Sequence, residues 1–310
     1  MDAVDLDLLR ATVASVISAD RSAAANDAAL DAIGWGDMLA AEPDDAVGVV
    51  FGQLGRAAAR SGLLDDVVGS ALGLDAGAIV AHPKWGDLSP GSAGDANSLS
   101  VTFGPRFEGV EPAHVVTGRE ISLVQATAIE LADRGAAGFW AEATIDRTAS
   151  EVSPIAIADE AIAAATRAAR RALAHQLHGL AAGMLELARA HAAERIQFGR
   201  PIGAFQAVRH KLAETHVAVE SAGDALAAIR PDDPMSVDLA RIIAGRAALD
   251  AGRHCQQVLA GIGFTRDHDF HRYLFTAIEL DGLYGTTAAL TAHIGRQLIA
   301  DRMLPRLVQL

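Results

Sequence analysis

The side chains with the most chemistry to offer lie in one short run, Glu194-Arg-Ile-Gln-Phe-Gly-Arg-Pro-Ile-Gly-Ala-Phe-Gln206. Pro201 has no N–H to give and drives the residue before it out of the α region, so Gln197 to Gly203 is expected as a turn between two helices. A turn carrying Arg195, Gln197, Phe198, Arg200, Ile202 and Phe205 is a place to bind something, and its positive charge suits a small phosphate ligand. A guanidinium makes paired charge-assisted bonds to phosphate. Arg209, His210 and Lys211 extend the positive cluster. As an ordinary helix connection, the same residues would amount to a C-cap near Gly199 and solvated arginines.

A second candidate run is Gln257-Val-Leu-Ala-Gly-Ile-Gly-Phe-Thr265, followed by Asp267-His-Asp-Phe-His271. His175 and His178 sit one helical turn apart, but no acidic helix motif accompanies them, and no metal site is expected. No glycine-rich loop opens a helix after a strand, so neither a Rossmann nor a P-loop nucleotide site has support.

These runs need elements to hold them. Leu173, Leu177, Leu180, Met184 and Leu187 follow steps of four and three, which predicts a long helix over about 156–196. Phe205, Val208, Leu212, Thr215, Val219, Ala222 and Leu226 repeat the pattern. Pro231-Asp-Asp-Pro234 breaks the chain, a third helix runs to about Leu259, and a fourth spans Tyr284 to Arg302. Four long helices joined by two functional turns predict an antiparallel bundle over 152–310. Upstream, four helices are expected within 1–75: residues 4–20, 28–40 interrupted by Gly34 and Gly36, 47–60 and 63–74. Between them, 76–151 changes to short apolar runs separated by turn residues, as in a compact antiparallel β domain with strands at 78–81, 99–103, 115–117, 121–125 and 138–143. The fold class expected is mainly α.

The 310 residues can bury a large core, and 51% hydrophobic with 21% charged residues is a globular composition. A net charge of −13 excludes nucleic acid as the main partner. One cysteine, Cys255, leaves no intrachain disulfide to form. An acidic start without a signal peptide, and no apolar run of about 18 residues, point to a cytoplasmic protein without a membrane span.

The first run resembles the signature of the acyl-CoA dehydrogenase family, Arg-x-x-Phe-Gly-x-x-Ile followed by a Phe/His-Gln pair. The second is similar to that family's Gln-x-x-Gly-Gly-x-Gly-Phe-Thr…Glu-His-x-x-His segment, with Ala260 in place of the first paired glycine. Gln53-Leu-Gly-Arg56 also looks like a phrase of the family's N-terminal domain. The resemblance implies an N-terminal helical domain, a middle β domain and a C-terminal four-helix bundle. It also implies flavin adenine dinucleotide (FAD) lying across an interface between subunits, in α,β-dehydrogenation of an acyl-CoA thioester. The cofactor-binding positions it implies are Arg195, Gln197, Phe198, Ile202, Phe205, Gln257, Gly261 and Thr286.

The chain departs from that pattern where the chemistry happens. The family's Tyr-Glu-Gly-Thr string, which carries the base, corresponds to Leu283-Tyr284-Gly285-Thr286, so Tyr284 occupies the glutamate position and no catalytic residue is assigned. The alternative base position of some relatives falls on Ala169, and the arginine usually found nine residues before the glutamate is Phe275. The threonine-rich segment that holds the flavin ring is missing from a reduced middle domain, where Gly91-Ser-Ala-Gly-Asp95 is only a faint echo. These departures resemble the shortened subunits of heteromeric acyl-CoA dehydrogenases of steroid side-chain degradation, heterotetramers among them. They imply a partner subunit that carries the glutamate. A homo-oligomeric pseudoenzyme or scaffold, and a self-sufficient enzyme using Glu279 or Asp281, are the alternatives.

Overall fold

A computed structural model describes residues 1–91, 94–95, 97–134, 140–148, 155–230 and 233–302. Five helices open the chain: α1 (Ala3–Val16), α2 (Ala23–Ala32), α3 (Trp35–Ala41), α4 (Pro43–Arg56) and α5 (Leu64–Leu72). Asp2 and Ser22 cap α1 and α2 by accepting main-chain N–H bonds. The helix expected over 28–40 is two helices, because Gly34 turns the backbone left-handed (φ +91°) between them. Helix α4 ends in a Schellman motif: Ala59 N–H donates to the Leu54 carbonyl at 2.9 Å and Ala58 N–H to Gly55 at 3.0 Å. Ala58 holds the left-handed position (φ +46°) that glycine usually fills.

The middle region forms one seven-stranded sheet: β1 (Val80–Pro83), β2 (Ser98–Phe103), β3 (Ala113–Thr117), β4 (Glu120–Val124), β5 (Ile129–Arg134), β6 (Ala141–Asp146) and β7 (Ile155–Ala156), in the order β5-β6-β2-β1-β3-β4-β7. The expected antiparallel domain needs correcting, since β1 and β3 are parallel, with Val80 opposite His114. The chain reverses between β1 and β2 and again between β2 and β3. A strand laid on the free edge of β1 after two reversals must run with it. The segment Gly91 to Asp95 is described only in part, Ser92 and Ala93 lying outside the described residues.

The helix α6 (Asp159–Glu194) is the axis of the molecule and packs against α4 and α5 on one side. On its other sides lie α7 (Gln206–Ala227), α8 (Pro234–Leu259) and α9 (Phe270–Asp281), with α10 (Thr287–Asp301) against α8. Two short strands, β8 (Ile196–Gln197) and β9 (Arg200–Pro201), join α6 to α7. Leu173, Leu177, Leu180 and Met184 are fully buried, as their spacing predicts, in a core shared by the N-terminal helices and the bundle. Glycines set the α4–α6 crossing. A Cβ added to Gly179 would stand 2.2 Å from the Gly52 carbonyl oxygen, and one on Gly55 2.1 Å from that of Gln176. Among the described residues, no helix is long and apolar enough to cross a membrane.

Candidate functional site: two turns at one end of the bundle and a sealed base position

The turn after α6 is a two-residue hairpin. Ile196 pairs with Pro201 and Gln197 with Arg200, and the tip residues Phe198 and Gly199 have φ of +51° and +80°. A type I′ turn of this kind favours asparagine or glycine at its first position, so phenylalanine there is strained. Phe198 is also 91% exposed. The backbone is strained there, and the ring gains nothing from burial in this chain. The Phe198 ring stands edge-on to Phe205 at 6.0 Å, and the Arg200 guanidinium lies 4.3 Å above the Phe205 ring. Arg195 and Gln197 are exposed, Ile202 and Phe205 half-buried. The Ile202 N–H donates to the Arg195 carbonyl at 2.8 Å, which closes the loop behind the hairpin.

The second turn follows α8. Ala260 has φ +54° and ψ −135°, a region that favours glycine, and a 3-10 turn (Ala260–Phe264) leaves Phe264 73% exposed. Gln257 and Gly261 are exposed. A Cβ added to Gly261 would meet nothing within 4 Å, so packing inside this chain does not call for glycine there. A ligand approaching the main chain from outside would. Both turns lie at one end of the bundle, where burial first, and His268 and Arg195 after it, depress the pKa of His191 near the end of α6. A strained, exposed Phe198, an exposed arginine and an open glycine fit a dinucleotide held from outside the chain.

The position where the resemblance places the base is different in kind. Tyr284 is buried with φ +54°, and its hydroxyl lies 3.0 Å from His82 Nδ1. His82 Nε2 lies 2.7 Å from Asp65 Oδ1. A neutral imidazole with its proton on Nε2 donates to Asp65 and accepts from Tyr284, so one tautomer satisfies both bonds. Burial first, and the Asp65 carboxylate second, raise the Tyr284 phenol above its ordinary pKa. Burial likewise raises Asp65, against the hydrogen bond from His82. The buried Arg170 guanidinium locks the same turn, donating to the carbonyls of Tyr284 (3.1 Å) and Leu88 (2.9 Å) and to Asp238 (2.9 Å). Trp85 lies hard against Gly282, where a Cβ would come 1.4 Å from the indole nitrogen.

The other acids near this turn are committed or enclosed. Asp281 accepts from Thr287 N–H (3.2 Å) and hydroxyl (2.5 Å) and faces the buried Arg241. Glu279 is 1% exposed. Thr286 caps α10 by accepting from Ala289 N–H at 3.0 Å. Ala169 is fully buried. His175 and His178 diverge, the first against Gly48 and the second against Gly223. The Asp65–His82–Tyr284 chain and Arg170 escaped sequence reasoning, because their members stand 17 to 202 positions apart and no local spacing marks them. A lone histidine in the apolar run Ile79-Val-Ala-His82 was the one available signal.

Several similar proteins are acyl-CoA dehydrogenases by name. A family model described as acyl-CoA dehydrogenase, C-terminal domain, matches residues 160–299. The acyl-CoA dehydrogenase IpdE2 of Mycobacterium tuberculosis is 30% identical over 302 residues, covering 86% of this chain and 88% of that protein. Of a second acyl-CoA dehydrogenase of that bacterium, 37% identical over 145 residues, the chain spans only 20% of the length. Among solved structures, the Tcur3481-Tcur3483 steroid ACAD superposes with a TM-score of 0.79 at 22% identity, covering 96% of this chain and 98% of that one. The ChsE4-ChsE5 complex from Mycobacterium tuberculosis does so with a TM-score of 0.70 at 19% identity, covering 96% and 99%. At these identities the structural likeness shows the fold alone.

Proposed function

The chain belongs to the acyl-CoA dehydrogenase family, and on that premise we propose that it is the subunit of a heteromeric, flavin-dependent acyl-CoA dehydrogenase that supplies no catalytic carboxylate and completes the FAD site of its partner. Tyr284 carries this reading. α,β-Dehydrogenation needs a base at the substrate α-carbon, and here that position holds a buried phenol bonded to His82, with a pKa raised further from neutrality. Asp281 is bound to Thr287 and faces Arg241, and does not stand in for it.

The bound flavin would accept the hydride lost from the β-carbon. The residues of this chain would bind and orient it across the interface. Arg195 and Gln197 would take the pyrophosphate and its surroundings, Phe198, Ile202 and Phe205 the adenine, and Gln257 with Gly261 the main-chain approach of the second turn. Thr286, at the head of α10, would complete the set. The partner subunit would contribute the glutamate and the flavin-ring contacts, in a heterotetramer. One fold neighbour is described as a steroid ACAD and another as a two-component complex; in keeping with the first, the substrate proposed is a CoA thioester of a steroid side chain.

The test is to co-purify Arg195→Ala and Phe198→Ala variants with the partner subunit and measure bound flavin. Both are exposed, so the complex should still assemble while its affinity for flavin falls about tenfold or more in Arg195→Ala, read as lower bound flavin. Undiminished flavin in both variants would overturn the assignment.

A further inference from the structure

Three segments distant in sequence meet around a cleft of about 410 Å³: the α1–α2 connection, the residues after α4, and the approach to α9 with its first turns. Arg21, Arg60, Arg266 and Arg272 line it together with His271, against one carboxylate, Asp20. In a chain of net charge −13, this reverses the prevailing sign. None of these residues belongs to the set that would hold the flavin.

Arg272, Arg21 and His271 are held in place by their neighbours. Arg272 donates from Nη1 to Asp20 at 2.7 Å, and its Nε lies 3.7 Å from Asp269, which leaves the Nη2 edge of its fork unspent in these pairs. Arg21 donates to the Val16 carbonyl from one nitrogen only. His271 Nδ1 lies 2.8 Å from the His268 carbonyl. A carbonyl can only accept, so Nδ1 carries the proton and Nε2 is the open nitrogen. Arg266 is exposed and takes no ion pair among the described residues. The wall between these groups includes Ala58, the left-handed alanine that ends α4.

We propose that this cleft binds a small anion bearing phosphoryl groups, a pyrophosphate or phosphomonoester. Guanidinium forks approaching from three sides match the spread oxygens of a phosphoryl group better than a single carboxylate, and anchoring by Asp20 lowers the cost of ordering Arg272. The volume admits a diphosphate with a small organic remainder.

The experiment is calorimetric titration of the full chain with inorganic pyrophosphate, and separately with citrate, at fixed ionic strength. Saturable one-site binding of pyrophosphate is expected, weakened about tenfold by Arg266→Ala and again by Arg272→Ala. Because Arg272→Ala also breaks the tie to Asp20, Arg266→Ala is the decisive variant, and its unchanged thermal midpoint would certify the fold. The flavin content of the complex should be the same in Arg266→Ala as in wild type, which separates this proposal from the flavin site. Absence of saturable binding, binding indifferent to Arg266→Ala, or citrate binding as tight as pyrophosphate would each overturn it.

Discussion

The Tyr284 hydroxyl and His82 Nδ1 stand 3.0 Å apart, which ties the turn between α9 and α10 to strand β1 through a single imidazole. Tyr284→Phe removes the donor and leaves a buried ring nitrogen without a partner, at a cost of about 1–3 kcal/mol, readable as a lower denaturant midpoint. Tyr284→Glu should not create a dehydrogenase in the isolated chain. The new carboxylate would enter a buried site beside His82 and near Asp65, and its desolvation would destabilise the fold further than Tyr284→Phe does. Turnover of an acyl-CoA by purified Tyr284→Glu would refute the sealed-site account.

Two backbone positions should respond in opposite directions. Gly282→Ala drives a methyl into Trp85 and should destabilise by about 3 kcal/mol or more, measured by urea unfolding. Ala260→Gly relieves a positive-φ alanine and should stabilise by about 1 kcal/mol, the relief of strain exceeding the added flexibility of the unfolded chain. A loss of stability in Ala260→Gly would contradict the strain assigned to the second turn.

Acid should weaken the fold through His175. Burial lowers its pKa from 6.5 to about 3, with Arg171 and His178 adding to the shift and Asp44 opposing it. Between these values the unfolded chain binds a proton that the folded chain refuses. The stability is therefore complete above pH 6.5 and lost as pH falls toward 3. From pH 6.5 to pH 5 the loss should be about 2 kcal/mol, and His175→Gln should flatten the profile. His178, also lowered mainly by burial, acts in the same direction.

The sequence was most readable where periodicity and punctuation carry the information. The steps from Leu173 to Met184 mark the buried stripe of α6, and Pro201 marks the hairpin that follows it. The helix α9 was missed because it is short and follows a turn full of histidine and aspartate, and strands β5 and β7 because their apolar runs are brief. Of the candidate site, the substitution at position 284 was legible. What replaces the base was not, because Asp65, His82, Arg170 and Tyr284 meet only once the sheet is laid against the bundle. Ala260 illustrates the limit. The residue type was visible as a departure from glycine, but the positive φ that makes it costly belongs to the fold.

On the proposed reading, this chain lends cofactor contacts to an active site whose carboxylate belongs to another subunit. The decisive measurement is flavin stoichiometry, taken on the chain purified alone and again after co-expression with its partner. Little flavin is expected on the isolated chain and about one flavin for every two chains in the complex. A full flavin on each isolated chain would contradict it.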